Sequence, residues 1–227
     1  LERGFDFFGL ASDGEVEDYQ ISITEIEIPT LPPVPHLKWS QPPIEYAPGS
    51  VVPLYCGWDE PAYTQKPYWY GTRSWKLAAD DFRCLGAMPV TSVHWWGSYT
   101  GWDGEDAPSV APDSYKIAFW SNVPADNTYA FNRPGKLLWL VSADADRTGE
   151  VLVGMEEFPQ KAADTCFEYT VTLESQEYFW QSEYLDDTED NVFWISVTAV
   201  YGTYQRPEYP WGWQTRPVAD VIDDIRQ

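Results

Sequence analysis

Basic residues are scarce in this chain. Its 227 residues hold 14 Lys and Arg against 36 Asp and Glu, a formal net charge of −22. Such a surface repels phosphate backbones and anionic membranes, so no nucleic-acid partner is expected. Histidine occurs only at His36 and His94, methionine twice and cysteine three times. With no Cys-x-x-Cys spacing and so few histidines, a zinc site lacks ligands. No apolar run approaches the roughly 20 residues that cross a bilayer as a helix, so no membrane insertion is expected. No glycine loop that could cradle a phosphate is present, and no serine or cysteine sits in a recognisable nucleophile motif. With 19 Pro and 15 Gly, long helices are excluded in favour of short strands broken by turns.

What the chain has in abundance is aromatic surface, with 13 Trp and 15 Tyr. The richest stretch is Pro89-Val-Thr-Ser-Val-His-Trp-Trp-Gly-Ser-Tyr-Thr-Gly-Trp102. Val93 and Trp95 alternate with Ser92 and His94, the pattern of a strand with one buried face, and Trp96 then points to the other side. Gly97 and Gly101 mark a bulge and a turn. This stretch reads as the central strand of a β-sandwich with large rings on both faces. His94 alone is a satisfied core or interface group by default.

Further strands follow from the same alternation. Val52–Trp58, Tyr115–Phe119, Phe167–Leu173 and Asn191–Tyr201 read as strands, the last covered on both faces. Lys136–Ser142 and Glu150–Phe158 read as a pair joined by an acidic turn at 144–149. Near the start, Tyr19, Ile21 and Ile23 alternate with polar residues, and Ile26 and Ile28 continue the apolar face. Four prolines within 29–35 then favour an extended, semi-rigid spacer. The expected organisation is an N-terminal strand segment at 1–28, a Pro-rich linker at 29–37, a sandwich at 38–217 and a tail at 218–227. The fold class is all-β, a jelly-roll-like antiparallel β-sandwich with an extended N-terminal arm.

Gly14-Glu-Val-Glu-Asp-Tyr19 resembles the GEVEDY motif of large bacterial surface and secreted proteins, where it typically forms the closing strand of a domain. The resemblance implies that something precedes Leu1, or that this strand completes a sheet elsewhere. Lys38-Trp-Ser-Gln-Pro-Pro43, Ala79-Asp-Asp-Phe82, Pro89–Ser98, Phe193-Trp-Ile-Ser196 with Thr198–Tyr201, and Trp211-Gly-Trp213 together resemble an uncharacterised domain family of planctomycete-type bacteria. That resemblance covers about residues 38–217 and implies a secreted, jelly-roll-like module without assigned catalytic residues. The residues themselves leave the cysteines open, as three reduced thiols or one bridge with a spare sulfur. The resemblance implies a disulfide between Cys84 and Cys166 and leaves Cys56 unpaired.

Three kinds of site are candidates. Trp58, Trp69, Trp96, Trp102, Trp211 and Trp213, with Trp75 and Trp180, could present ring faces to a pyranose or to a neighbouring subunit, although core packing is the default for any single tryptophan. Asp144, Asp146 and Glu150 partly echo a calcium loop but lack its 12-residue pattern, so a solvated turn is the plainer reading. Asp80-Asp81 and the acids of 103–106 are carboxylate pairs, but in a chain this acidic their adjacency does not make a glycosidase.

The expected function is a non-enzymatic extracellular structural or cell-surface module, a subunit of a filament, sheath or surface layer. Assembly is expected by head-to-tail strand addition, with Tyr19, Ile21, Ile23, Ile26 and Ile28 filling a neighbour's sheet, so the chain's partner is itself. The alternative is a carbohydrate-binding module whose partner is a polysaccharide. No cofactor is required beyond calcium in the second role of the 144–150 turn.

Overall fold

The computed structural model describes residues 19–23, 36–45, 51–65, 74–83, 88–157 and 164–216. Alternation of apolar and polar residues, with turns at the prolines and glycines, produces an all-β chain in which two sheets face each other. The strands are β1 (Tyr19–Ile23), β2 (His36–Gln41), β3 (Ile44–Glu45), β4 (Leu54–Cys56), β5 (Asp59–Pro61), β6 (Tyr63–Gln65), β7 (Ser74–Trp75), β8 (Asp80–Arg83), β9 (Ser92–Tyr99), β10 (Ser114–Val123), β11 (Arg133–Asp144), β12 (Gly149–Glu157), β13 (Asp164–Thr172), β14 (Val192–Val200) and β15 (Trp211–Gln214). Three single-turn 3₁₀ segments lie between β13 and β14.

Among the described residues the first sheet runs β2-β1-β9-β13-β12-β4-β3, with β15 pairing both β9 and β5. The second runs β11-β10-β14-β6-β7, with β8 also on β14. Pairing is mostly antiparallel; β4 with β12 and β6 with β14 are the parallel contacts. The 89–102 stretch holds the expected central place, since β9 touches β1, β13 and β15.

Inward-facing residues of the two sheets form one core with two characters. At one end phenylalanines dominate: Phe119 stacks on Phe179 at 4.1 Å, and Phe82 and Phe193 pack around them. At the other end the rings carry polar atoms. Trp95 stacks on Tyr169 at 5.5 Å, Tyr115 meets Trp95 edge-on, and Trp211 meets Tyr169 and Tyr115 edge-on. Small residues make room for these rings. Ala143 and Ala199 flank Tyr115 on the neighbouring strands, and the Trp211 indole lies where a Cβ on Gly97 would stand 2.6 Å away.

Two sequence expectations need correction. Lys136–Ser142 and Glu150–Phe158 are strands, but they do not pair with each other. β11 pairs β10 and β12 pairs β13, so the acidic turn carries the chain from one sheet to the other. Local hairpin rules favour pairing of consecutive strands, but each of these two finds a long antiparallel partner in a different sheet. The N-terminal arm is likewise not set apart from the domain after the Pro-rich stretch. β1 lies inside the first sheet, hydrogen-bonded to β2 on one side and β9 on the other.

Candidate functional site

The strand position between β2 and β9 is the most informative place in the fold. On one side β1 aligns Tyr19 with Trp95, Gln20 with His94, Ile21 with Val93 and Ser22 with Ser92. On the other it aligns Tyr19 with Gln41 and Ile23 with His36, with a register irregularity after Ile21. β9 runs over eight residues and is held in place by Val93, Trp95 and Tyr99, all of them fully buried in the core. β2 is held differently. Among the described residues its only ladder is with β1, supplemented by Lys38, whose ammonium donates to the Met88 carbonyl and to the buried Gln181 side-chain oxygen. The lysine and tryptophan of the Lys38–Pro43 motif thus have separate jobs. Lys38 ties the strand to the loops beneath it, and Trp39 packs on the edge of the core.

The arm expected to leave its own globule is therefore paired within it. The physical reason is the edge of β9: a row of backbone donors and acceptors beside an apolar core takes the nearest amphipathic strand, and residues 19–23 are tethered to it. Ile26 and Ile28 lie outside the described residues, as do the side chains of Tyr19, Ile21 and Ile23.

Among the described residues, Trp95, Trp96, Trp120, Trp211 and Trp213 are buried. Trp211 and Trp213 are completely buried and Trp96 nearly so, which corrects the expectation that they form an exposed platform. Two aromatic rows on one β-strand need not mean one exposed row, because the outer face of β9 is itself covered. Trp58 and Trp102 are half-buried and hydrogen-bonded. The Trp58 indole N–H donates to Glu60 Oε1 at 2.8 Å, and the Trp102 N–H donates to the Asp106 carbonyl at 2.7 Å. Trp180 is also half-buried; Trp69 and the Trp75 side chain lie outside the described residues. A small depression of about 40 Å³ on the outside of the second sheet, lined by Ala118, Trp120, Leu137 and Leu140, is far below the roughly 300 Å³ of a ligand pocket.

The calcium candidates do not converge. Asp144 closes β11, and its carbonyl accepts from the Arg147 and Thr148 N–H groups in a tight turn. Asp146 is exposed within that turn. Glu150, exposed at the start of β12, turns to another partner: its Oε2 accepts the Tyr99 hydroxyl proton at 2.8 Å. No group of three metal-ligating side chains is found among the described residues. Desolvation raises the Glu150 carboxyl above the usual carboxylate range, partly offset by the hydrogen bond from Tyr99. Burial likewise pushes the phenols of Tyr99, Tyr115 and Tyr169 well up, and the negative charge of Glu150 adds to it. This tyrosine cluster was not legible as a unit, because its members come from β9, β10, β12 and β13. The only signal was Glu150 set directly ahead of the apolar run at 151–153.

Cys56 and Cys166 are buried, and Cys166 Sγ lies 2.7 Å from Gln214 Oε1. Cys84, which the resemblance pairs with Cys166, lies outside the described residues. The carboxylates Asp80 and Asp81 sit at the start of β8, and Asp103 and Asp106 lie in an exposed loop. His94 on the outer face of β9 lies 3.1 Å from Thr170 Oγ1 and 3.5 Å from Glu168 Oε1. Among the described residues no helix is long and apolar enough to cross a membrane.

A two-sheet module with a ring-filled interior and a strand drawn in from its N-terminal side is the class of protein that this fold defines. By sequence, residues 37–225 match the domain of unknown function DUF7901, and the chain belongs to that family. No curated protein and no solved structure matches it. The matched span begins within β2, so β1 lies outside it, although β1 separates two strands that both belong to it.

Proposed function

We propose that the chain is a non-enzymatic structural module of the extracellular space or cell surface, whose sheet is completed by a strand from the segment that precedes the family domain. The observation that carries this reading is the place of β1. A strand from outside the matched span of 37–225 sits between β2 and β9 and connects them. Strand complementation of this kind joins a domain to its neighbour by main-chain hydrogen bonds, which makes a mechanical link without requiring sequence-specific side-chain chemistry. The strongly acidic surface supports a soluble exterior setting. The buried rings of Trp95, Trp96, Trp211 and Trp213 support it from the other side, being spent on packing. The resemblance of residues 14–19 to the GEVEDY motif of surface proteins fits the same picture.

The test is a chain of residues 30–227 with a synthetic peptide spanning residues 11–28. Without β1, β2 loses its ladder and β9 exposes an edge, so the shortened chain melts well below the full one. Peptide added in excess raises its Tm towards that of the full chain, read by thermal unfolding. A shortened chain as stable as the full one and indifferent to the peptide sinks the reading.

A further inference from the structure

We propose that the outer edge of β11 is an interaction surface, taken by β11 of a second copy of this chain in antiparallel, two-fold pairing. This surface belongs to the second sheet and β1 to the first, so the inference goes beyond the structural reading above and does not depend on it.

The ground for it is the length and place of the strand. β11 spans Arg133–Asp144, 12 residues, the longest of the described strands, and it ends the second sheet. Among the described residues its ladder is with β10 alone. Its side chains tell the same story. Lys136, Leu140, Ser142 and Asp144 are exposed, and Leu138 and Trp139 are only half-buried although they pack on the core. A long edge strand presents a row of backbone donors and acceptors, which monomers blunt by proline, lysine, bulges or brevity. In β11 such devices fall in the first half: Pro134, Lys136 and the register irregularities opposite Phe119 to Asn122. From Trp139 to Asp144 the pairing with β10 is regular, and no charge interrupts positions 137–143.

The outer face beside this edge is apolar. Leu137 and Leu140 line its shallow depression with Ala118 and Trp120, and Leu140 is 48% exposed. The floor is fixed, because the buried Trp120 indole donates to Ser196 Oγ at 2.9 Å.

Charge selects the occupant. In a chain with 36 acids, positions 133–143 hold none; Arg133 and Lys136 stand at the start of β11, and Asp144 and Asp146 at and just beyond its end. Antiparallel pairing about the middle of the strand sets the basic end of each copy beside the acidic end of the other. It also lays Leu137 and Leu140 of the two copies together on the outer face. Parallel pairing sets like charges opposite each other, which is destabilising. Arg133 and Lys136 already meet Asp126 and Asp187 at 2.8 Å, but the Lys136 side chain is 67% exposed and an ammonium carries three donors. Because the same patch serves both copies, the contact closes at a dimer. The net charge of −22 on each copy opposes the approach, and physiological salt screens it beyond about 8 Å.

The test takes the full chain in physiological salt at low and at high protein concentration, with mass read by sedimentation velocity and edge protection by amide hydrogen exchange. The expected result is a species of twice the monomer mass that grows with concentration, with exchange at 139–144 slowing as it forms. Leu140→Lys puts like charges on the two sides of the contact and raises the dimer dissociation constant about tenfold or more. Val151→Lys, at a position 60% exposed on the first sheet, leaves it unchanged. Monomer alone at every concentration overturns the proposal, as does a dimer that Leu140→Lys leaves intact or that forms without slowing exchange at 139–144. Full protection of 139–144 at monomer mass overturns it too, because another part of the same chain then covers the edge. None of these outcomes touches the peptide rescue of the 30–227 chain, which reads the β1 position separately.

Discussion

At the scale of single residues, two carboxylates at either side of the 144–149 turn behave in opposite ways. Glu177 is held below the usual carboxylate range by the Arg147 guanidinium, which also donates to the Thr172 carbonyl and so fastens the turn to the end of β13. Glu150 is raised by desolvation. A group whose folded pKa is raised contributes most to stability below its unfolded pKa and loses that contribution as the pH rises through the folded value. The Glu150→Gln variant keeps an acceptor for the Tyr99 hydroxyl and removes the ionisation. Wild type is therefore expected to lose stability relative to Glu150→Gln as the pH is raised from about 4 to about 7. Parallel denaturant titrations across that range read the difference, and a constant gap between the two proteins would contradict the desolvation of the Glu150 carboxyl beside Tyr99. The residue's type was visible in the sequence, but its direction was not. A glutamate beside a turn has solvent as its default, and Glu150 stays exposed while its Oε2 takes the Tyr99 hydroxyl, a partner two strands away in the sheet.

At the scale of strands, the contact of β9 with β15 depends on an absence of side chain. A Cβ at Gly97 would stand 2.6 Å from both the Gly212 carbonyl oxygen and the Trp211 ring, and the first of these is backbone that cannot rotate away. Gly97→Ala is expected to cost about 3 kcal/mol or more, at the upper end of overpacking penalties. Gly101→Ala is a control of a different kind: it has open space at 3.7 Å but a positive φ of 83°, so its cost comes from backbone strain, about 1 kcal/mol. Chemical denaturation of both variants reads the ranking, and Gly97→Ala coming out the milder of the two would refute the packing argument. The sequence announced β9, β10, β13 and β14 clearly, because each has one strictly alternating or fully apolar run. It misassigned the partners of β11 and β12, because alternation states which face is buried and not which sheet buries it. It overstated the exposed tryptophans for a related reason: the ring that fills the space over Gly97 comes from Trp211, more than a hundred positions away in the chain.

At the scale of the whole molecule, charge opposes compactness. With 36 acids against 14 Lys and Arg, the folded chain repels itself and salt relieves that repulsion. Raising the ionic strength from about 0.01 to about 0.15 M shortens the Debye length from roughly 30 to 8 Å, so Tm is expected to rise with sodium chloride in that range. Differential scanning calorimetry reads it; a Tm that falls with salt would mean that attractive ion pairs such as Arg147–Glu177 and Arg133–Asp126 outweigh the excess of acids. The sandwich class itself followed from composition and periodicity, which are whole-chain properties. The site where β1 enters did not, because no local pattern announces which strand will lie between which others.

That wedged strand bears on inheritance. A domain whose interior ladder is borrowed from the stretch upstream cannot be shuffled between genes as a free cassette. Recombination that cuts at the family boundary would strand the first strand of the domain away from its sheet. Relatives of this sandwich should therefore travel through genomes together with an amphipathic segment and a spacer ahead of them, and the separation between the two should vary less than the loops on the far side of the fold.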